Sequence, residues 1–195
     1  MNQESRPVAV VTGASRGAGK GIALALGGRG YTVYVTGRSE RAGDAPLPGT
    51  IHDTAAEIDR LGGHGIAVSC DHGDDAQVRA LFERIAREQD GRLDILVNNA
   101  CAIPDELVQP GTFWEKPLSL LSLLNVGMRS NYVASYYAAP LMVARRSGLI
   151  VHTSSFGGTC YMHGPAYGAG KAAVDKMAHD MAVELRPHNV AVVSI

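Results

Sequence analysis

The feature that most constrains the fold is a cluster of small residues directly after the first apolar run. Val8 to Val11 is followed by Thr-Gly-Ala-Ser-Arg-Gly-Ala-Gly, which places Gly13, Gly17 and Gly19 in a GxxxGxG spacing. Glycines at a strand-to-helix turn permit a positive φ and a close approach of the backbone to a phosphate. The helix that follows directs free N–H groups at the same anion. The pattern therefore predicts a βα unit whose turn binds the pyrophosphate of a dinucleotide.

Short apolar runs rich in β-branched residues alternate with segments of helical period along the whole chain. The predicted strands are Val8 to Val11, Thr32 to Thr36, Ile66 to Cys70, Ile95 to Asn98, Leu149 to Thr153 and Val190 to Ile195. The predicted helices are Gly17 to Gly28, Thr50 to Leu61, Asp74 to Gln89, Val126 to Arg145 and Tyr167 to Leu185. Because each crossover is helical, we expect an α/β fold, a Rossmann-type doubly wound parallel sheet flanked by helices. We expect residues 1–195 to form a single domain that ends early, after the sixth strand.

Composition and charge exclude several classes of function. Eighteen Lys and Arg against nineteen Asp and Glu leave a net charge of -1, which argues against nucleic acid as a partner. No apolar run approaches the roughly 20 residues that span a bilayer, and the start of the chain is polar, so we expect a cytoplasmic protein. The three cysteines, Cys70, Cys101 and Cys160, lack metal-ligand spacing. We therefore predict no metal site.

A second motif indicates chemistry. Tyr167 and Lys171 stand four residues apart in a predicted helix, so the phenol and the ammonium share one face. A free tyrosine has a pKa of about 10 and is a poor base at neutral pH, but a neighbouring positive charge stabilises a phenolate. The pair is typical of a tyrosine that acts as general acid/base.

Together, the TGxxxGxG turn and the YxxxK motif resemble those of the short-chain dehydrogenases/reductases, over essentially all of Val8 to Ile195. The spacing is that of the simpler members of the family and differs from the TGxxGxxG of its extended members. The resemblance implies hydride transfer between a nicotinamide dinucleotide and a small-molecule carbonyl or alcohol. It also implies that Tyr167 is the general acid/base and that Lys171 holds the nicotinamide ribose. Shorter segments, such as Gly-Arg-Leu-Asp before the fourth strand, resemble one subgroup of the family.

The resemblance also implies a serine and an asparagine beside the tyrosine. The family's usual spacing from serine to tyrosine points to Ser154, whereas counting along the fifth strand points to Ser155, which we favour. Its role would be to donate a hydrogen bond to the substrate oxygen. Asn125 matches the family asparagine that holds a water linked to the lysine, and Asn131 fits that role less well. The predicted catalytic residues are therefore Asn125, Ser155, Tyr167 and Lys171.

The end of the second strand bears on the choice of dinucleotide. It reads Thr36-Gly37-Arg38, without the carboxylate that favours NAD, while Arg38 and Arg16 offer guanidinium groups to a 2′-phosphate. We therefore expect NADP(H) to be preferred, and Glu40 keeps NAD(H) as an alternative. The predicted cofactor-binding residues are Gly13, Ser15, Arg16, Gly17, Gly19, Arg38, Asp71, Asn99, Tyr167 and Lys171. The resemblance implies that Asp71 binds the adenine edge and that Asn99 lies beside the adenosine ribose. Cys101 replaces the glycine of the family's NNAG sequence.

Other properties are expected from the resemblance. The family pairs its subunits through long apolar helix faces, so we expect a homodimer or homotetramer built on Val126 to Arg145 and Tyr167 to Leu185. Family members continue past the position of Ile195 with a loop that selects the substrate, so we expect the substrate-binding part to be absent. The alternative to an enzyme is a catalytically silent NADP(H)-binding sensor or scaffold. A proton relay would be unnecessary in such a protein, which favours catalysis.

Overall fold

The computed structural model describes residues 6–195, and a six-stranded sheet forms its centre. The strands are β1 Val8–Val11, β2 Thr32–Gly37, β3 His64–Ser69, β4 Ile95–Asn98, β5 Gly148–His152 and β6 Val190–Ser194. Their order is β3-β2-β1-β4-β5-β6, and every neighbouring pair is parallel. The strand order reverses between β1 and β4, which confirms the predicted Rossmann-type sheet.

Helices cover both faces of this sheet. They are α1 Gly17–Gly27, α2 Ile51–Arg60, α3 Asp75–Glu88, α4 Ser122–Leu124, α5 Ser130–Arg145 and α6 Pro165–Leu185. Short 3-10 turns lie at Asp105–Leu107, Leu118–Leu121, Phe156–Gly158 and Arg186–His188, and a π-type turn lies at Asn125–Arg129. α1 and α2 pack over one buried apolar cluster, and α3, α5 and α6 pack over another on the opposite face.

The predicted bounds agree with the structure to within two residues, except at the start of α5. Val126 (φ −110°, ψ 96°) and Gly127 (φ 140°) have non-helical backbones, so the helix begins at Ser130 and the predicted start at Val126 is wrong. The apolar periodicity continues across this kink, which is why the sequence did not reveal it. Smaller corrections are that β5 ends at His152 and that α6 begins at Pro165.

Parallel strands bring their carboxyl ends to one edge of the sheet, and the chemistry-bearing loops are therefore gathered there. All four residues of β1 are buried, which holds the glycine-rich turn at the middle of this edge. At the far side, β6 alternates buried and exposed residues, and Val193 is 41% exposed. No helix within residues 6–195 is long and apolar enough to cross a membrane.

Candidate active site

The first turn of α1 differs from the first turns of α2 and α3. Thr50 caps α2 and Asp74 caps α3, each with a side-chain hydrogen bond to the first turn. In contrast, α1 begins after Arg16 with no side-chain cap and no acidic residue in its first turn. Its N–H groups and the positive end of its dipole are therefore left for an anion, as a pyrophosphate site requires.

Two glycines of this turn, Gly13 and Gly19, are required by close packing against the loop after β4. Gly13 has a φ of 65°, and a Cβ on it would lie 2.8 Å from the Cα of Ala100. A Cβ on Gly19 would lie 2.4 Å from Nδ2 of Asn99. Asn99 in turn donates from Nδ2 to the carbonyl oxygens of Thr12 (2.9 Å) and Gly13 (3.1 Å). The structure thus brings Asn99 to the turn, whereas Gly17 (φ 56°) faces open space.

Arg16 is fixed beside the end of β2. Its guanidinium donates to Ser39 Oγ and to the Gly49 carbonyl, both at 2.8 Å, and so anchors the loop that precedes α2. Ser15 and Ser39 are each 7% exposed. Sequence reasoning missed Ser39, although a serine next to Arg38 after the strand is a usable signal for a phosphate-binding hydroxyl.

Arg38 and Asp71 face each other across the ends of β2 and β3. Arg38 Nη1 lies 3.7 Å from Asp71 Oδ2, and the Arg38 side chain is 75% exposed. Asp71 also accepts a hydrogen bond from the Gly73 amide at 2.8 Å. Glu40 points elsewhere, with Oε2 3.9 Å from His52 Nε2. The guanidinium of Arg38 is therefore paired with Asp71 and not with Glu40, and most of it faces solvent beyond the end of β2.

On the other side of the turn, the structure brings Ser155, Tyr167 and Lys171 together. Lys171 Nζ lies 5.8 Å from the centroid of the Tyr167 ring and donates to the Thr153 carbonyl at 2.8 Å. Ser155 and Tyr167 both border Gly157, where an added Cβ would lie 2.6 Å from Tyr167 Cε1 and 3.4 Å from Ser155 Oγ. Lys171 is only 9% exposed, so its charge acts in a region with little water.

The two serines after β5 have different surroundings. Ser155 Oγ accepts a hydrogen bond from the Gly157 amide at 3.0 Å, on the side where Tyr167 stands. Ser154 Oγ is buried and, among residues 6–195, has no hydrogen-bond partner. This arrangement supports the choice of Ser155 over Ser154.

With this geometry established, comparison with known proteins gives the family. A family model described as short chain dehydrogenase matches residues 7–195. The chain belongs to the short-chain dehydrogenase family. The family resemblance read from the glycine turn and the YxxxK motif is thereby confirmed.

Among curated short-chain dehydrogenases, the chain is similar to dehydrogenase/reductase SDR family member 1 of Mus musculus and of Homo sapiens. Each is 48% identical over 191 residues, which are 96% of this chain and 58% of the relative. This is the subgroup that the shorter motifs resemble, and that prediction is confirmed. The 1-cyclohexenylcarbonyl-CoA reductase of Streptomyces collinus is 35% identical over 97% of this chain and 63% of the relative. The chain thus spans less than two thirds of the length of these relatives.

Solved short-chain dehydrogenases share the fold. A metagenomic short-chain oxidoreductase in complex with NADP has a TM-score of 0.84 and 31% identity, over 96% of this chain and 80% of that one. A short-chain type dehydrogenase/reductase from Mycobacterium marinum also has a TM-score of 0.84 and 31% identity, over 97% and 73%. The sheet and its connections are therefore those of the family.

Asn125 stands at the start of the π-type turn Asn125–Arg129. It is exposed and lies near Gly73, whose added Cβ would be 3.4 Å from Asn125 Nδ2. The non-helical backbone of Val126 and Gly127 separates Asn125 from α5. As a result, Gly127 lines the cavity of about 10 Å³ beside Lys171. The relay role expected for Asn125 stays a prediction.

Gly127 itself is held by two side chains from the start of α5. Its amide donates to Ser130 Oγ at 3.1 Å, and its carbonyl accepts from Asn131 Nδ2 at 2.9 Å. Asn131 is 3% exposed. A glycine followed three and four residues later by Ser and Asn, within an otherwise helical segment, is the sequence signal that could have located this kink.

Cys101, the departure from the family's NNAG sequence, contacts the same cavity. A Cβ on Gly127 would lie 2.9 Å from Cys101 Sγ, so the thiol occupies space that a side chain at position 127 would need. Burial raises the pKa of the Cys101 thiol, and the charge of Lys171 opposes this. The thiol form is thereby favoured, and Cys101 acts here as a small packing group.

Proposed function

We propose that this protein is an oxidoreductase that transfers a hydride between a nicotinamide dinucleotide and a carbonyl or alcohol substrate. The observation that carries the proposal is the convergence of Ser155, Tyr167 and Lys171 at the carboxyl edge of the sheet. They stand on one side of the glycine-rich turn, and the uncapped start of α1 opens at the same edge. A site for a dinucleotide and a proton-transfer group thus adjoin each other.

In this proposal, each side chain has a separate role. The dinucleotide supplies or accepts the hydride when it is bound. Ser155 donates a hydrogen bond that orients the substrate oxygen, and Tyr167 gives its proton to that oxygen during reduction. Lys171 holds positive charge near the tyrosine ring and stabilises the phenolate that remains. The reverse steps oxidise an alcohol.

For the cofactor, we propose NADP(H) over NAD(H). Arg16 and Ser39 are joined by a hydrogen bond at the end of β2, and the exposed Arg38 directly precedes Ser39 in sequence. Two guanidinium groups and a hydroxyl suit a 2′-phosphate, and Glu40, the carboxylate that follows β2 in sequence, is directed toward His52. A solved relative bound to NADP is consistent with this preference.

The test is to measure the oxidation of NADPH and NADH by the purified protein with a panel of ketones, aldehydes and quinones. We expect turnover with at least one class of carbonyl compound, and a higher kcat/KM for NADPH than for NADH. Tight binding of NADPH with no turnover of any compound would instead support the catalytically silent sensor or scaffold.

We further propose a homodimer or homotetramer that pairs through α5 and α6. Tyr132 and Tyr136 of α5 are 54% and 64% exposed, and Val183 of α6 is 56% exposed, which leaves apolar surface for a second subunit. Light scattering at micromolar concentration tests this, and a monomer would contradict it. The cytoplasmic location and the single-domain organisation stay predictions.

A further inference from the structure

An apolar groove opens next to the tyrosine. It has a volume of about 310 Å³ and lies between the segment before α5 and the loop that leads into α6. Its lining includes Phe113, Lys116, Leu118, Leu121, Tyr161 and His163. We refer to it as the Leu118 groove. Its volume falls within the range of small-molecule sites.

The groove offers little to a charged ligand. Among residues 6–195, no carboxylate lines it, and Lys116 is the one lining residue with a permanent charge. The Lys116 ammonium already donates to the Leu107 carbonyl at 3.1 Å. Leu118 is 82% exposed, Leu121 51% and Tyr161 87%, so apolar side chains face open solvent here. A ligand that covers them gains by removing apolar surface from water.

The groove is continuous with the catalytic residues. Ala166 lines both the Leu118 groove and the small cavity that Tyr167 and Lys171 also line. The ring of His163, which also lines the groove, stands edge-on to Tyr167 with 5.3 Å between centroids. A substrate whose oxygen reaches Tyr167 therefore has this groove directly beside it. This continuity favours a substrate as the occupant over a second protein chain.

We infer that the Leu118 groove binds the apolar part of the substrate, and that the substrates are hydrophobic ketones and the corresponding secondary alcohols. The inference rests on the proposed function, because it takes Tyr167 as the group that meets the carbonyl. It assigns Leu118 and Leu121 to substrate selection, and it excludes small polar or anionic carbonyl compounds as preferred substrates.

A series of methyl ketones from butan-2-one to nonan-2-one tests the selection with NADPH in excess. Each added methylene that enters the groove should raise kcat/KM about three- to fourfold, since burying a CH₂ is worth about 0.8 kcal/mol. A kcat/KM that stays level along the series overturns the inference.

The Leu121→Asn variant tests the location, and Leu61→Asn is its matched control. Leu61 is also 51% exposed but lies at the end of α2. Leu121→Asn should lower kcat/KM for nonan-2-one about tenfold more than for butan-2-one, because the apolar contact is lost. The control should change neither value. Equal losses for both ketones in Leu121→Asn would contradict the assignment.

A binding measurement separates failure of the groove from failure of the proposed function. Trp114, the only tryptophan, contacts Phe113 of the groove with 5.1 Å between ring centroids. Titration with nonan-2-ol should change Trp114 fluorescence in a saturable way, and Leu121→Asn should weaken the binding. If nonan-2-ol binds in this way but no ketone is turned over, the proposed function is wrong and the groove is still an apolar ligand site. The assignment of the groove to a small apolar ligand would be overturned if nonan-2-ol caused no fluorescence change. It would also be overturned if the fluorescence changed only with protein concentration, as expected when a second copy of the chain covers the groove.

Discussion

The two sides of the sheet's carboxyl edge differ in how completely their polar groups are satisfied. On the nucleotide side, the side chains of Arg16 and Asn99 each make two hydrogen bonds at 3.1 Å or less that fix the turn and its neighbours. On the catalytic side, the ends of β4 and β5 carry buried atoms that lack a hydrogen-bond partner within the described residues. These atoms are Asn98 Oδ1, His152 Nε2, Thr153 Oγ1 and Ser154 Oγ.

Backbone regularity differs in the same way. The turn before α1 leads directly into a regular helix, whereas the segment before α5 passes through a 3-10 turn, a short helix and a π-type turn. A pyrophosphate is a constant ligand that backbone amides recognise, so a regular βα unit suffices. Substrates vary, and they are met by irregular loops with exposed apolar side chains. We therefore expect substitutions on the nucleotide side to change cofactor affinity, and those on the catalytic side to change turnover.

The largest expected effect is that of Tyr167→Phe. The variant keeps the aromatic ring but loses the transferable proton, so turnover should fall by at least about 10²-fold while NADPH affinity changes little. The measurement pairs steady-state kinetics with a binding titration. A variant that keeps most of its activity would mean that the proton comes from another group.

A smaller effect, confined to the nucleotide side, is expected for Arg38→Asp. A lost hydrogen bond to a charged group is worth about 1.5–3 kcal/mol, so NADPH affinity should fall roughly 10- to 100-fold. NADH affinity should fall less, because NADH lacks the 2′-phosphate. Equal losses for the two cofactors would refute the assignment of Arg38 to the 2′-phosphate.

The Gly127→Ala substitution tests the packing of the catalytic side. The new Cβ would meet Cys101 Sγ at 2.9 Å and would force alanine into a φ of 140°, so we expect a loss of about 1–3 kcal/mol in unfolding free energy. Chemical denaturation measures it. Cys101→Gly in the same chain should restore part of the loss by removing the steric clash. No restoration would assign the cost to backbone strain alone.

The smallest expected effect concerns two buried histidines, His72 on the nucleotide side and His152 on the catalytic side. Burial lowers the pKa of both His72 and His152 to about 4, so the unfolded chain binds more protons than the folded chain below the ordinary histidine pKa. The contribution of each histidine to the unfolding free energy is therefore fully present above a pH of about 6.5 and is lost as the pH decreases toward 4. When the pH is lowered from 6.5 to 5.5, each histidine should decrease the unfolding free energy by about 1 kcal/mol.

His72→Gln and His152→Gln test this, each measured by denaturation at both pH values. Each variant should lose about half of the pH dependence. His72 has a partner in Thr36 Oγ1 at 2.8 Å, whereas His152 Nε2 has none within the described chain. At pH 7.5, His72→Leu should therefore cost more stability than His152→Leu. The reverse order would contradict the contrast between the two sides.

The sequence by itself determined the order of strands and helices, the glycine-rich turn and the pairing of Tyr167 with Lys171. These features depend on residues that are close in the chain, where hydrophobic periodicity and helix geometry act directly. The family followed from the same two motifs. Their local nature explains why the bounds of most elements could be predicted within two residues.

Tertiary structure alone decided which groups meet across the site. The hydrogen bond from Arg16 to Ser39, the exposure of Asn125 and the place of Gly127 beside Lys171 all depend on contacts between distant segments. Two non-helical residues, Val126 and Gly127, interrupt the segment that the periodic pattern predicted as one helix. The Leu118 groove likewise exists because two loops that are far apart in sequence close on each other, and no local rule encodes that contact.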